Sequence, residues 1–301
     1  SSTDNTGSIE FTGLGAGTYT VQVSDANIAT QGAGCYVEQN ITISEPDQLV
    51  INQNGAEIDV SCFGENTGSF QVSVSGGTAD YIFTAIDSQN NSIGNPTQIS
   101  TGIFEWSSLS AETYTVTVTD QNSCDANQPI EVIIEQPDEI TYTIDQTTLL
   151  DCFGDSDGEI TITVNGGTPG YTVSLSGTSS STATITTAGG SHTFNNLTQG
   201  TYTITIQDAN FESSPSGCDV TTGSLVIDEP DELLISSLAA EEILCNADET
   251  SIITGSITGG TANYSVDLIL DSQVVQSSTD NTGSIEFTGL GAGTYTVQVS
   301  D

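Results

Sequence analysis

Six cysteines, one histidine and forty acidic residues are the groups in this 301-residue chain whose types could carry chemistry. A cysteine nucleophile needs a base beside it, and a metal centre needs convergent imidazole, thiolate or carboxylate ligands. The single imidazole, His192, aligns with Ile9 and Phe104, which read as core-facing strand positions, so it reads as a half-buried packing residue. No nucleophile motif occurs, and the chain reads as non-enzymatic. The cysteines are spaced regularly instead. Cys62, Cys152 and Cys245 lie 90 and 93 residues apart, and Cys35, Cys124 and Cys218 form a second series. An even, regular set points to disulfides in an extracellular setting.

The charge balance excludes further chemistry. There is no Lys, Arg or Met, and the formal charge is −40. Phosphate contacts need basic side chains, so nucleic acid is excluded as a partner. No apolar run approaches the ~18 residues of a membrane helix, so no membrane insertion is expected. The absence of Met implies an internal piece of a longer protein. Disorder does not fit, because only 13% of residues are charged and 35% are apolar in regular alternation. Thr, Ser, Val, Ile, Tyr and Gly dominate, a composition of strands and turns.

Residues 1–25 return letter for letter as residues 277–301, an offset of 276. Inside that period lies a shorter one. Gly-Gly-Thr-x-x-Tyr occurs at Gly76–Tyr81, Gly166–Tyr171 and Gly259–Tyr264. Leu-x-x-x-Thr-Tyr-Thr occurs four times, beginning at Leu14, Leu109, Leu197 and Leu290, and a Pro-Asp junction follows Glu or Gln at Pro46, Pro137 and Pro230. The prolines divide the chain into the C-terminal half of one domain (1–46), two complete domains (47–137 and 138–230), and the N-terminal part of another (231–301) of the same type as 1–46. With almost no linker between them, such domains of about 90 residues would stack head to tail into a stiff rod or filament.

Period-two alternation predicts seven or so short strands per domain. Examples are Phe70, Val72 and Val74; Tyr171, Val173 and Leu175; and Tyr202, Ile204 and Ile206. In the last domain Gly255 interrupts Ile253 and Ile257, which predicts a bulge or close packing. The fold class is all-β: tandem immunoglobulin-like β-sandwiches. Tyr19, Tyr114, Tyr202 and Tyr295 occupy the tyrosine-corner position, where the hydroxyl bonds back across the turn. Glu112 replaces the corner glycine in one domain, which predicts a looser bend there. Trp106 shares a face with Phe104 and reads as core.

The order Cys-Phe-Gly-x-x-x-Gly, Gly-Gly-Thr-x-x-Tyr, Leu-x-x-Gly-Thr-Tyr-Thr-x-x-x-x-Asp, Cys, Glu-Pro resembles the SprB-type repeats of Bacteroidetes gliding-motility adhesins. Cys152–Gly158, Gly166–Tyr171, Leu197–Asp208, Cys218 and Glu229–Pro230 carry it most fully, and Cys245-Asn246-Ala247 departs from it. The resemblance implies a giant secreted filament on the bacterial outer surface, exported by the type IX system and used in adhesion and gliding. External surfaces or polysaccharide would be met through regions outside this chain.

Strand topology bears on the cysteines. Cys62 precedes the second strand of its domain and Cys124 follows the sixth, so a strand of ~25 Å separates them, against ~4.4–6.8 Å between bonded Cα atoms. Head-to-tail stacking would instead bring Cys62 to Cys218, and Cys152 to the Cys35 equivalent of the following domain. Pairing within a domain and free thiols are the alternatives, with Cys245 then paired to a Cys35 equivalent. The same geometry would gather carboxylates at the junctions: Glu65, Glu135, Asp138 and Asp208 in one set, and Asp155, Asp157, Glu229, Asp231 and Asp301 in another. Calcium, with six to eight oxygen ligands, is the one cofactor such sets could take; solvated charge and turn-capping Asp are the alternative. The functional reading is a mechanical stalk made of neighbouring copies of one repeat. Its rival is a multivalent polysaccharide- or surface-binding module, which the absence of aromatics from residues 87–94 and 177–190 disfavours.

Overall fold

The computed structural model describes residues 7–25, 36–211, 217–280 and 282–301. All regular structure among them is β, and no helix is long and apolar enough to cross a membrane. The chain forms two compact units, one of residues 1–59 and 67–134, the other of residues 60–66 and 135–301.

In the first unit, β1 (Gly17–Ser24) and β2 (Tyr36–Ile43) form an antiparallel hairpin. β3 (Val50–Gln53), β4 (Gly68–Ser75), β7 (Ile103–Leu109) and β6 (Thr97–Ser100) form a sheet in that order. β5 (Ile82–Ile86), β8 (Thr113–Thr119) and β9 (Ile130–Ile133) form the sheet facing it. This ABED/CFG order is that of a constant-type immunoglobulin sandwich. Alternation places Phe70, Val72 and Val74 inward from β4, and Tyr114, Val116 and Val118 inward from β8, all buried. Aromatic rings bridge the sheets: Phe70 lies 5.9 Å from Tyr114, and Phe83 lies 5.5 Å from Trp106. Trp106 is buried as expected, and its indole N–H donates to the Gly94 carbonyl at 3.0 Å.

The second unit holds two sandwiches. In one, β10 (Thr141–Gln146), β11 (Gly158–Asn165) and β14 (Gly190–Leu197) face β13 (Ser181–Ile185), β12 (Tyr171–Gly177), β15 (Gly200–Gln207), β16 (Asp219–Thr221) and β17 (Leu225–Ile227). Its core is a single cluster including Ile160, Ile162, Tyr171, Tyr202, Ile204 and Ile227. In the other, β18 (Leu234–Ala240), β19 (Ser251–Thr258) and β22 (Ser284–Leu290) face β21 (Gln273–Asp280), β20 (Tyr264–Leu270) and β23 (Tyr295–Ser300). The edge strand after the third core strand changes sheet: β6 pairs β7, whereas β13 pairs β12 and β21 pairs β20. These edges lie in the Ser/Asn/Thr-rich variable stretches, where no core periodicity fixes the pairing partner. Gly255 marks close packing, since a Cβ there would press on the Ser237 carbonyl oxygen at 2.5 Å.

The corners carry the expected bond in each instance. Tyr19, Tyr114, Tyr202 and Tyr295 donate to the carbonyl four residues earlier, at 2.9, 2.9, 2.9 and 3.1 Å. The corner with Glu112 is therefore no looser than the others, contrary to the sequence expectation. Gly17 has φ of 153°, whereas Gly200 and Gly293 do not have positive φ, so the bend admits a side chain in those two copies. At Gly200 the restriction is local, because a Cβ would strike Thr178. At Glu112 the side chain is used, accepting bonds from Ser88 and Gln89.

Substitution separates the two contributions of a corner tyrosine. Tyr202→Phe should cost about 0.5–1.5 kcal/mol, the net value of one hydrogen bond. Tyr202→Ala should cost about 3–5 kcal/mol, because the ring is fully buried. Urea unfolding followed by tryptophan-independent near-ultraviolet dichroism reads both.

Candidate functional site: a clamped loop and three capped turns

The recurring motifs converge on two constructions. The first is the Gly-Gly-Thr turn. Both glycines have positive φ in all three copies: 75° and 62° at Gly76 and Gly77, 71° and 58° at Gly166 and Gly167, 74° and 62° at Gly259 and Gly260. A Cβ on the first glycine would collide with the main-chain carbonyl of Gln48, Glu139 or Glu232. The second glycine donates its N–H to the carbonyl of the Pro-Asp junction residue, Asp47, Asp138 or Asp231, at 2.8, 2.7 and 2.7 Å. The motif tyrosine closes the turn by donating to the first glycine's carbonyl, from Tyr81, Tyr171 and Tyr264. Burial, with the charge of Asp208 behind it, pushes the Tyr171 phenol up.

The threonine N–H of each turn is taken by the Asp that ends the strand after the corner. Thr78 donates to Asp120 at 3.0 Å, Thr168 to Asp208 at 2.8 Å and Thr261 to Asp301 at 2.7 Å. Asp120 also accepts from the N–H groups of Asn122 and Cys124, both at 2.9 Å. The Cys124 and Thr78 amides hold the Asp120 carboxyl below the usual range. Charge from Asp120, then desolvation, raises the Cys124 thiol.

The second construction is the Cys-Phe-Gly loop. Gln136 accepts from the Gly64 N–H at 2.9 Å, and Glu229 from the Gly154 N–H at 2.8 Å. Thus the residue before each proline caps the loop that begins its own domain. Loop 60–66 lies in the second unit, where Cys62 is bonded to Cys218 with a Cα–Cα distance of 5.1 Å. Both cysteines are buried. The Asn210 amide donates to the Ser61 carbonyl at 2.8 Å and to the Thr168 hydroxyl at 3.0 Å, tying loop and turn together. This is the disulfide that topology favoured over Cys62–Cys124.

The other candidates fall as follows. Cys124, Cys152 and Cys245 are exposed free thiols, and Cys35 lies outside the described residues. Desolvation of the sulfur, then the charges of Asp155, Asp301 and Asp151, raises the Cys152 thiol. Among the described residues no group of three or more His, Cys, Asp or Glu has the arrangement of a metal site. Asp155 and Asp157 are exposed on the loop after Cys152. Glu135 accepts from the Val60 N–H through its main chain, as Asp138 and Asp231 accept glycine N–H groups through theirs. His192 is half-buried, edge-on to Phe194 at 4.7 Å. The capping roles of Gln136 and of the Thr78, Thr168 and Thr261 amides were missed from sequence. Their signal was the co-occurrence of Gly-Gly-Thr with a strand-ending Asp in each copy.

Comparison with known proteins places these motifs. No curated protein matches the chain. Among solved structures the chain is similar to a three-immunoglobulin-domain structure of titin, at 16% identity over 83% of this chain and 93% of that one, with a TM-score of 0.40. It is also similar to a tetra-tandem repeat from the extending region of a large adhesion protein, at 16% identity over 97% and 82%, with a TM-score of 0.29. Immunoglobulin domains 1–5 of Sidekick-1 match at 10% identity over 95% and 64%, with a TM-score of 0.34.

Removing the Asp120 cap should expose its three donors. Asp120→Ala should speed amide hydrogen exchange at Thr78, Asn122 and Cys124, with little change at Thr168. The folded pKa of Asp120 is depressed, so its stabilisation is full above the unfolded carboxyl value of about 3.9 and is lost as pH falls through the folded value. The difference in Thr78 protection between wild type and Asp120→Ala should therefore persist at neutral pH and close on acidification. Cys62→Ser should lower stability by about 2–4 kcal/mol, the usual range for a lost disulfide, read from denaturant midpoints with and without reductant.

The SprB repeat family model matches residues 58–90 and 144–180, the stretches that hold both Cys-Phe-Gly loops and the first two Gly-Gly-Thr turns, so at these two places the chain is similar to SprB repeats.

Proposed function

We propose that the chain is a non-enzymatic stalk segment of a giant secreted adhesin filament on the bacterial outer surface, serving adhesion and gliding. The observation that carries this reading is how the polar motifs are used. The Gly-Gly-Thr turns, the strand-ending Asp residues and the Cys62–Cys218 bond all hold the backbone in place. The family match adds a precedent for repetition. Repetition of a cross-linked β-sandwich adds reach without adding a site, which is what a stalk needs. A strongly acidic surface would hold neighbouring filaments apart through mutual repulsion.

Antibodies raised against the chain should label long surface filaments on intact cells by immunogold electron microscopy. Label confined to broken cells would overturn the surface assignment. The mechanical part is tested separately by pulling the chain between its ends. The disulfide spans 156 residues, so reductant should release roughly 500 Å of hidden contour length at ~3.3–3.6 Å per residue. Equal extension with and without reductant would argue against a cross-linked stalk.

A further inference from the structure

The sandwich of β3 to β9 leaves one sheet edge open. In the second unit the strand after the third core strand stays beside it: β13 covers β12, with Tyr171 opposite Ile185 and Val173 opposite Ala183, and β21 covers β20. The first unit starts the same hairpin. Ile86 bridges Ser92, Ile93 donates its N–H to the Ala85 carbonyl at 3.0 Å, and Asp87 donates its N–H to the Asn91 carbonyl at 2.9 Å. Gly94-Asn95-Pro96 then diverts the chain. Gly94 is left-handed, with φ of 80°, and the Trp106 indole holds its carbonyl at 3.0 Å. Pro96 has no N–H to give to a ladder. The strand that follows, β6, pairs β7 instead, and β5 ends its sheet.

What stays open is short and uncharged. Ala85 and Asp87 turn main-chain groups toward the hairpin, so by the two-residue alternation of a strand Tyr81 and Phe83 turn theirs the same way. No described residue pairs with either of them on that edge. The left-handed bend at Asp80, with φ of 81°, bounds the opening on one side and Ile93 bounds it on the other. The equivalent Tyr171 and Val173 are fully buried, whereas Tyr81, Phe83 and Phe104 are half-buried and Ile82 is 63% exposed. Residues 81–86 read Tyr-Ile-Phe-Thr-Ala-Ile, and the neighbours of Ile82 on its face are Thr84, Thr117 and Thr119. Sheet edges are normally guarded by charge, and short uncharged β-prone runs pair readily.

We propose that two copies of this chain pair through this edge, β5 against β5, antiparallel about a twofold axis at Ile82. The opening is its own complement. Tyr81 of one copy exchanges both main-chain hydrogen bonds with Phe83 of the other, and Phe83 with Tyr81. A longer partner strand would run into Ile93, whereas a second copy turns away at its own Asp80. Ile82 meets Ile82 in the close, non-hydrogen-bonded position, with Cα atoms ~4.5 Å apart. Charge selects the same occupant. A basic partner finds no carboxylate between Asp80 and Asp87, and a copy carrying a charge of −40 can approach only where it presents none. The inference rests on the stalk reading only for its use, the side-by-side joining of stalks; a chain that stays monomeric would overturn it and leave the surface-labelling and pulling results as they stand.

Sedimentation of the full chain should show a monomer–dimer equilibrium that shifts toward dimer between ~0.01 and ~1 M salt, as the screening length falls from ~30 to ~3 Å. Ile82→Asp should abolish the dimer and leave the urea midpoint unchanged, because the side chain is mostly exposed. On oxidation Ile82→Cys should give an intermolecular 82–82 disulfide. Thr84→Cys, on the same face, should not link to its counterpart, which lies ~13 Å away along the paired strands. Mass spectrometry of the linked peptides separates both from the exposed native thiols Cys124, Cys152 and Cys245. A monomer throughout, a dimer that survives Ile82→Asp or weakens with salt, or equal yields at 82 and 84 would overturn the proposal.

Discussion

A carboxylate buried in this fold has no basic side chain to meet, because the chain contains neither Lys nor Arg. Removing a charge from water is costly unless hydrogen bonds replace the lost hydration. The two buried carboxylates among the described residues, Asp120 and Asp208, are 2% and 6% exposed. Each is met by main-chain N–H groups of its own hairpin and of the Gly-Gly-Thr turn. That constraint explains why the turn is so narrowly specified. Only a left-handed pair of residues aims the threonine N–H at the carboxylate while the second glycine N–H reaches the junction carbonyl. The backbone does the work that basic side chains do elsewhere, and it does so with groups that neither titrate nor reorient.

The repeated 25 residues show how far local sequence determines burial. Ile285, Phe287 and Leu290 are 2, 3 and 4% exposed, while the identical Ile9, Phe11 and Leu14 are 42, 49 and 43% exposed. The corner hydrogen bond of Tyr19 nevertheless survives, at 2.9 Å. The corner is thus a local structure, closed within five residues, whereas the core is made only when the partner sheet is present. Local and long-range contributions separate accordingly: the corner bond needs only its own turn, and burial needs a facing sheet.

That separation also explains what was legible in the sequence. Alternation in β4, β8, β11, β12 and β15 named the core residues correctly, since period-two burial is a local property of a strand with one apolar face. The tyrosine corners were legible for the same reason. Topology favoured the Cys62–Cys218 bond, which the structure contains, because the length of one strand argues against Cys62–Cys124, while free thiols stayed open. The looseness expected at Glu112 was not borne out, since a motif glycine can be required by a neighbour, here Thr178, rather than by its own φ. The carboxylates of Asp208 and Glu229 were grouped as candidate ion ligands. A list of acidic residues near a junction does not reveal that main-chain amides, which carry no sequence signature, donate to them.

The acidic surface and the buried Asp caps respond oppositely to acid, and this sets how the fold should weather it. Protonating exposed carboxylates relieves self-repulsion and favours the compact state. Protonating Asp120 removes an acceptor from three amides and disfavours it. Because those amides hold the Asp120 carboxyl below the usual range, the turn keeps its acceptor until the pH falls through that lowered value. A carboxylate held among backbone donors thus stays ionised, and keeps its turn closed, to lower pH than the same group would in water.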